Sequence, residues 1–162
     1  MKVISMEIEI HPAEDSHIPG IIEIWKELMD FHKDIDPLFT RTEDGHVAFA
    51  DHMNKLIHSE DAQVLVALDK EAVVAYSVSE IFARPPVFQH RISGFISDLA
   101  VRSNYQRKGI GEQMLCRMFE WFKSRNICRI ELRVASKNEI GYSFWKKHGF
   151  QDYMHILYLQ RK

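Results

Sequence analysis

The sequence predicts an α/β fold: one mixed, twisted β-sheet flanked by about four helices, in a single domain over residues 1–162. Three observations point to it. Segments of alternating apolar residues interleave with segments whose apolar residues recur every three or four positions, in the order β-α-α-β-β-β-α-β-α-β. The stretch from Phe95 to Val134 reads strand–loop–helix–strand, the crossover that sets two strands parallel. The length, 162 residues with 46% apolar and 27% charged, suits one domain with a real core.

Each element follows from its local pattern. Met6, Ile8 and Ile10 alternate with Glu7, Glu9 and His11, a half-buried strand that Pro12 ends. Ile18, Ile21, Ile22, Trp25, Leu28, Met29 and His32 recur at helical spacing, predicting a helix capped near Asp15 or Ser16 and broken at Pro37. A second helix is predicted through 46–59, with Val47, Phe49, Ala50, Met53, Leu56 and Ile57 inward. The β-rich runs 62–69 and 72–83, joined by a short polar turn, predict a hairpin. Pro85 and Pro86 cannot extend a ladder, so a loop follows. Residues 91–101 read as a strand in which Gly94 predicts a bend or bulge. From Gly111 a long helix turns Met114, Leu115, Met118, Phe119 and Phe122 inward. Residues 127–134 alternate as a strand, and a short helix lies between Asn138 and Gly149. The remainder, 150–162, predicts one or two closing strands.

Composition excludes several classes. No apolar run approaches the ~20 residues of a membrane span, and the N-terminal stretch lacks the apolar core of a signal peptide. Cys116 and Cys128 are too few for a disulfide framework, so a cytoplasmic protein with reduced thiols is expected. His46, His52 and His58 stand six apart, which scatters them around a helix; no metal site is expected. The charge is lopsided. Residues 1–101 carry 8 Lys and Arg against 18 Asp and Glu, whereas residues 102–162 carry 13 against 5. Such opposite fields either attract complementary ligands or neutralise each other across an interface.

The chemistry concentrates at Gln106-Arg107-Lys108-Gly109-Ile110-Gly111, between a strand and a helix. A helix N-terminus leaves backbone N–H groups without partners and carries partial positive charge. Gly109 and Gly111 let an anion approach bare backbone, and Arg107 with Lys108 adds charge, a combination suited to phosphates. The same residues also suit a glycine-softened helix start on a basic surface. No G-x-x-x-x-G-K-[ST] Walker loop is present, and the dinucleotide fingerprint fails because position 114 is methionine.

Following DLAV, this hexapeptide resembles the Q/R-x-x-G-x-G/A acyl-CoA signature of the GNAT superfamily of N-acetyltransferases. Thirty residues further on, NEIGYSFWKKHGF resembles that family's second landmark, an Asn followed by an aromatic-rich helix ending in Gly-Phe. The resemblance implies a GNAT-like fold binding acetyl-CoA without a metal. The backbone at Leu99, Ala100 and Val101 would meet the thioester and pantetheine arm, and the Leu99 N–H would face the oxyanion. The amides from Gln106 to Gly111 would hold the pyrophosphate, and Asn138 would meet the pantetheine or a water near the sulfur. The strands ending at Val101 and Val134 would splay to admit the arm.

Here the chain departs from the family pattern. Trp145 stands where many relatives carry the tyrosine that protonates the departing thiolate, and an indole N–H is no acid for that task. Tyr142, three residues earlier and on roughly the same helical face, is one substitute; water is the other. Asp98 is the candidate base, because relatives often carry a carboxylate at or beside this strand position. The acceptor is expected to be a primary amine. Residues 27–61 hold nine carboxylates against Lys33, Arg41 and Lys55, which suits a cationic acceptor such as a polyamine, an aminoglycoside or a basic peptide, and suits a solvated helix face as well. A catalytically silent acyl-CoA-binding sensor or scaffold is the alternative. Nucleic-acid and membrane partners are not expected, because a CoA-binding half would carry the basic charge anyway. A homodimer is expected, covering the strand edge offered by MHILYLQ.

Overall fold

A computed structural model of the chain describes residues 7–161. Five strands and four α-helices form: β1 (Ile8–Pro12), α1 (Ile18–Ile35), α2 (Gly45–Ile57), β2 (Ala62–Asp69), β3 (Ala72–Ala83), β4 (Ile92–Val101), α3 (Ile110–Ser124), β5 (Ile130–Leu132) and α4 (Glu139–Lys147). The sheet runs β1-β2-β3-β4-β5, antiparallel throughout except for the parallel pair β4–β5. This is the mixed sheet read from the sequence, with α3 as the crossover between its two parallel strands. Met6, assigned above to the first strand, lies outside the described residues.

The sheet separates two apolar layers. On one face α1 and α2 pack Ile21, Ile24, Met53 and Leu56 against Val64, Val66, Tyr76 and Val78. On the other, Ile110, Met114, Leu115, Met118 and Phe122 of α3 cover Leu65, Ala67, Val74 and Ile96, with Phe144 and Trp145 of α4 alongside. Phe122 is fully buried, a burial worth about 1.5–3 kcal/mol by itself. The hairpin β2–β3 turns at Lys70, whose φ of 59° is the left-handed geometry tight hairpins need.

Several expectations fail, each for a nonlocal reason. Gly94 marks no bulge: the register shift in β4 falls at Ser97, between the pairs Val78–Asp98 and Ser79–Ile96. Gly94 instead lets Phe122 lie directly on the strand, since a Cβ there would sit 2.4 Å from the ring. Val47, expected inward, is exposed because α2 turns only Met53 and Leu56 fully into the core. The α1 segment begins with a 3-10 turn over Asp15–His17, so neither Asp15 nor Ser16 is its cap; His17 precedes the first α-helical residue. β5 keeps three of the residues expected in its strand, because only Gly94–Ile96 face Ile130–Leu132 across the parallel ladder. No closing strand forms: residues 151–161 are exposed and adopt neither helix nor strand.

Gly94→Ala should therefore cost about 1–3 kcal/mol, the range for overpacking a close-packed site. Equilibrium urea unfolding measures it, and Phe122→Leu in the same chain should recover part of the loss. A Gly94→Ala protein as stable as the parent would show that Phe122 does not lean on this strand.

Candidate active site

Beyond Val101 the chain makes a 3-10 turn at Ser103–Tyr105 and curls into α3. Arg107 (φ 62°) and Gly109 (φ 80°) are both left-handed, and the coil they form ends at the first turn of α3. Only glycine adopts this φ without a steric penalty, and Gly109 uses it. Arg107 is a non-glycine residue held there by its surroundings. Gln106 Nε2 donates to the Val101 carbonyl at 3.0 Å, and the Tyr105 hydroxyl donates to Asp69 at 2.8 Å, tying the coil to β4 and β2. That hydrogen bond to Asp69 raises the Tyr105 phenol above its usual range. Lys108 lies 5.2 Å over the Tyr105 ring.

The consequence is a ring of free donors. Among the described residues, the backbone N–H groups from Arg107 to Glu112 meet no acceptor, and no side chain caps the helix. They lie at the helix end where the dipole is positive. Glu112 is the one carboxylate in this first turn, and it is drawn away by Lys147 at 2.5 Å; that contact lowers its pKa. Gly111 is less constrained than its sequence position implies. A methyl there would touch Phe144 at 3.6 Å, an ordinary contact, so what glycine supplies is uncovered backbone.

Beside this coil β4 and β5 part company. Their last pair is Ile96–Leu132, yet β4 runs on to Val101. The edge from Ser97 to Val101 that would face β5 is thus open, lined by Leu99 and Val101 on the α3 side. Ala100, also expected in the site, is buried on the opposite face. Asn138 stands at the start of α4. Its Oδ1 accepts from the Gly141 N–H at 2.9 Å, so the carbonyl is committed to capping the helix. A Cβ on Gly141 would lie 2.6 Å from Asn138 Nδ2, so the capping side chain would have to shift. Asn138 also lines a hollow of about 230 Å³ with Phe31 and Ile35 of α1 and Lys137, Glu139 and Ile140.

Asp98 owes its direction to the bulge. Ile96 packs on the α3 side and Ala100 on the α1/α2 side, so strict alternation is broken between them. The extra residue, Ser97, turns outward and donates to Glu80. Asp98 consequently faces the α1/α2 layer, where the Tyr76 hydroxyl donates to it at 2.9 Å. Burial pushes the Asp98 carboxyl up from the usual range, with the Tyr76 bond and the nearby His32 and His52 pulling the other way. Burial first, and then the Asp98 charge, raise the Tyr76 phenol well above its ordinary value. Tyr76 escaped the sequence reading, although a tyrosine inside an apolar strand must find its hydroxyl a partner.

The two α4 aromatics separate. Trp145 packs edge-on to Phe144 and Phe150, at 5.1 and 5.3 Å. Tyr142 is exposed, and its hydroxyl donates to Asp152 at 3.1 Å, so the two do not share a face toward the opening. Among the described residues no group of three His, Cys, Asp or Glu could hold a metal ion, and no helix is long and apolar enough to cross a membrane.

The acetyltransferase (GNAT) family matches residues 23–150. Streptothricin acetyltransferase A of Bacillus subtilis (strain 168) is 34% identical over 55 residues. That match covers 34% of this chain and 32% of the relative, about a third of its length. A structure from Clostridium acetobutylicum, described as a predicted acetyltransferase with acetyl-CoA, superposes with a TM-score of 0.77 at 24% identity, over 95% of this chain and 96% of its own. The aminoglycoside antibiotic 6'-N-acetyltransferase AAC(6')-IG from Acinetobacter haemolyticus does so at 0.74 and 18%, over 95% and 98%. At these identities the superpositions bear on the fold alone.

Asp98 carries a testable signature. Because its folded pKa is raised, its burial is tolerated best while it is protonated, and stability is lost as pH rises through that pKa. Asp98→Asn removes the titration. Its melting temperature relative to the parent should climb as pH rises from about 4, where the unfolded carboxyl titrates, through the raised folded pKa. A pH-independent difference would mean that Asp98 titrates as an ordinary surface carboxylate.

Proposed function

This chain belongs to the acetyltransferase (GNAT) family, and on that footing we propose that it moves an acetyl group from acetyl-CoA directly to a primary amine. The observation that carries the reading is the coil at Gln106–Gly111, whose free N–H groups and flanking Arg107 and Lys108 suit a diphosphate. The open edge of β4 beside it suits an extended pantetheine arm running along Leu99, Ala100 and Val101, with the Asn138 amide and the Trp145 ring at its far side. The protein acts in the cytoplasm as a homodimer.

The chemistry asks little of side chains. An amine attacks the thioester carbonyl, forming the C–N bond. The Leu99 N–H donates to the developing oxyanion, and the C–S bond breaks as the tetrahedral centre collapses. The amine's proton passes to Asp98, directly or through water. Burial favours this, since a raised carboxyl pKa narrows the gap to the proton it receives. The thiolate leaves unassisted and is protonated by water, as a thiol with pKa near ~8.5 permits. Tyr142 is spared that duty, because its hydroxyl is engaged by Asp152.

The acceptor is a small cationic amine, polyamine- or aminoglycoside-like, or a basic peptide. Two features support this: the hollow between α1 and α4, and the excess of carboxylates in residues 27–61. The names of the similar streptothricin and aminoglycoside acetyltransferases point the same way. Of the carboxylates at the end of α1, Asp30 pairs with Arg41 at 3.4 Å and Asp36 accepts from the Leu38 N–H at 2.9 Å. Asp34 is exposed and bridges to none of the described residues, which makes it the cleanest probe.

Release of free thiol from acetyl-CoA, followed across a panel of amines, tests the proposal. Turnover with cationic amines is expected, and Asp34→Lys should raise the acceptor KM roughly threefold or more while leaving the acetyl-CoA KM nearly unchanged. The second reading, a silent acyl-CoA-binding module, is favoured by Trp145 in the tyrosine position. Acetyl-CoA binding without turnover of any amine would select it.

A further inference from the structure

The hollow between α1 and α4 is more apolar than a site for a cation alone requires. Phe31 and Ile35, one turn apart on α1, line it together with Ile140 of α4. Phe31 is 43% exposed and Ile140 71%, so large apolar side chains meet water around one concavity. Polar lining is sparse. The Asn138 carbonyl is committed to the Gly141 N–H, and Lys137 and Glu139 bring opposite charges. Asp34, three residues from Phe31 on the helix, sets an exposed carboxylate beside the apolar lining.

His32 ties this hollow to the layer that holds Asp98. Its ring meets Phe31 edge-on at 5.3 Å and Phe39 at 5.4 Å, and its Nδ1 bonds the Leu28 carbonyl at 2.9 Å. A carbonyl only accepts, so Nδ1 carries the hydrogen and the ring is held in one orientation. His32 is also close enough to Asp98 for its charge to act on that carboxyl.

Size and lining decide what fits. About 230 Å³ is less than the ~300–1,000 Å³ of a pocket for a drug-sized ligand, so the hollow takes one arm of an acceptor and not a whole sugar-built molecule. A hydroxylated ring seated here would turn its hydroxyls against Phe31, Ile35 and Ile140, losing water without gaining hydrogen bonds. A flexible diamine would carry a second cation into the same apolar lining. An aromatic ring meets neither penalty and gains edge-to-face contact with Phe31, while Asp34 attracts the amine it carries.

We propose, on the acceptor reading above, that the hollow holds an aromatic arm of the acceptor, and that Phe31 selects primary amines bearing a ring on a short chain. Thiol release with benzylamine, 2-phenylethylamine and 3-phenylpropylamine, set against 1,4-diaminobutane and glucosamine, tests this. The best ring-bearing amine should lead in kcat/KM by roughly tenfold or more. Phe31→Ala, at a half-exposed helical position that suits alanine, should remove most of that lead by raising the KM for ring-bearing amines, with the acetyl-CoA KM unchanged. Ile140→Ala should act in the same direction. Diaminobutane or glucosamine turned over as well as the ring-bearing amines would overturn the aromatic arm and leave acetyl transfer standing, as would a lead that survives both substitutions. If no amine is acetylated, saturation-transfer NMR of 2-phenylethylamine on the CoA-loaded chain separates the two readings. Ring signals that vanish with Phe31→Ala would support the arm site while acetyl transfer fails; no ring signal from the parent chain would overturn the arm site as well.

Discussion

Everything functional in this molecule depends on two parallel strands that stay together for three positions and then separate. β4 and β5 pair at Gly94–Ile96 with Ile130–Leu132, and from there β4 continues alone. Had the ladder continued, the backbone at Leu99–Val101 would be consumed by β5 and no extended ligand could reach it. What holds them together at the closed end is the packing of Phe122 across Gly94. Arg84 adds to it by bridging from β3's end to Glu131 on β5 and to Ser93 on β4. Beyond the open end lies the start of α3 with its free amides.

The bulge at Ser97 does the complementary work on the other face. It inverts the alternation of β4 between Ile96 and Ala100, so Leu99 and Asp98 present themselves to opposite layers one residue apart. A carboxylate can thereby sit among the α1/α2 apolar side chains, next to the backbone that lines the slot. Its isolation from water raises its pKa, and the Tyr76 hydroxyl keeps it from being an unsatisfied buried group. The acidic end of α1 borders the same layer. On the proposed reading, the donor and acceptor sides would be divided by the sheet and joined where the two strands part.

How much of this was legible depends on whether it is local. The hairpin strands were read to the residue, because alternation and a tight turn are properties of one stretch of chain. The left-handed coil before α3 was legible for the same reason: a glycine at a helix start carries its own conformation. β5 was read too long and the closing strands were read where none form, since a strand exists only in pairing and the partner is chosen elsewhere. The role of Gly94 needed Phe122, 28 residues away in sequence. Tyr142 and Trp145 share a nominal helical face but not an environment, because Phe150 and Phe144 claim the tryptophan while Asp152 claims the tyrosine.

The account stands on the coil at Gln106–Gly111 as the diphosphate cradle, and calorimetric titration of CoA against Gly109→Glu tests that most directly. The substitution forces a side chain into left-handed backbone and sets a carboxylate where the diphosphate would lie. The site is otherwise open space, with no atom closer than 4.0 Å to the new Cβ, so the fold should survive. Parent protein that binds CoA, beside a folded Gly109→Glu protein that does not, is the expected result. An unchanged CoA affinity in the folded variant would contradict the account.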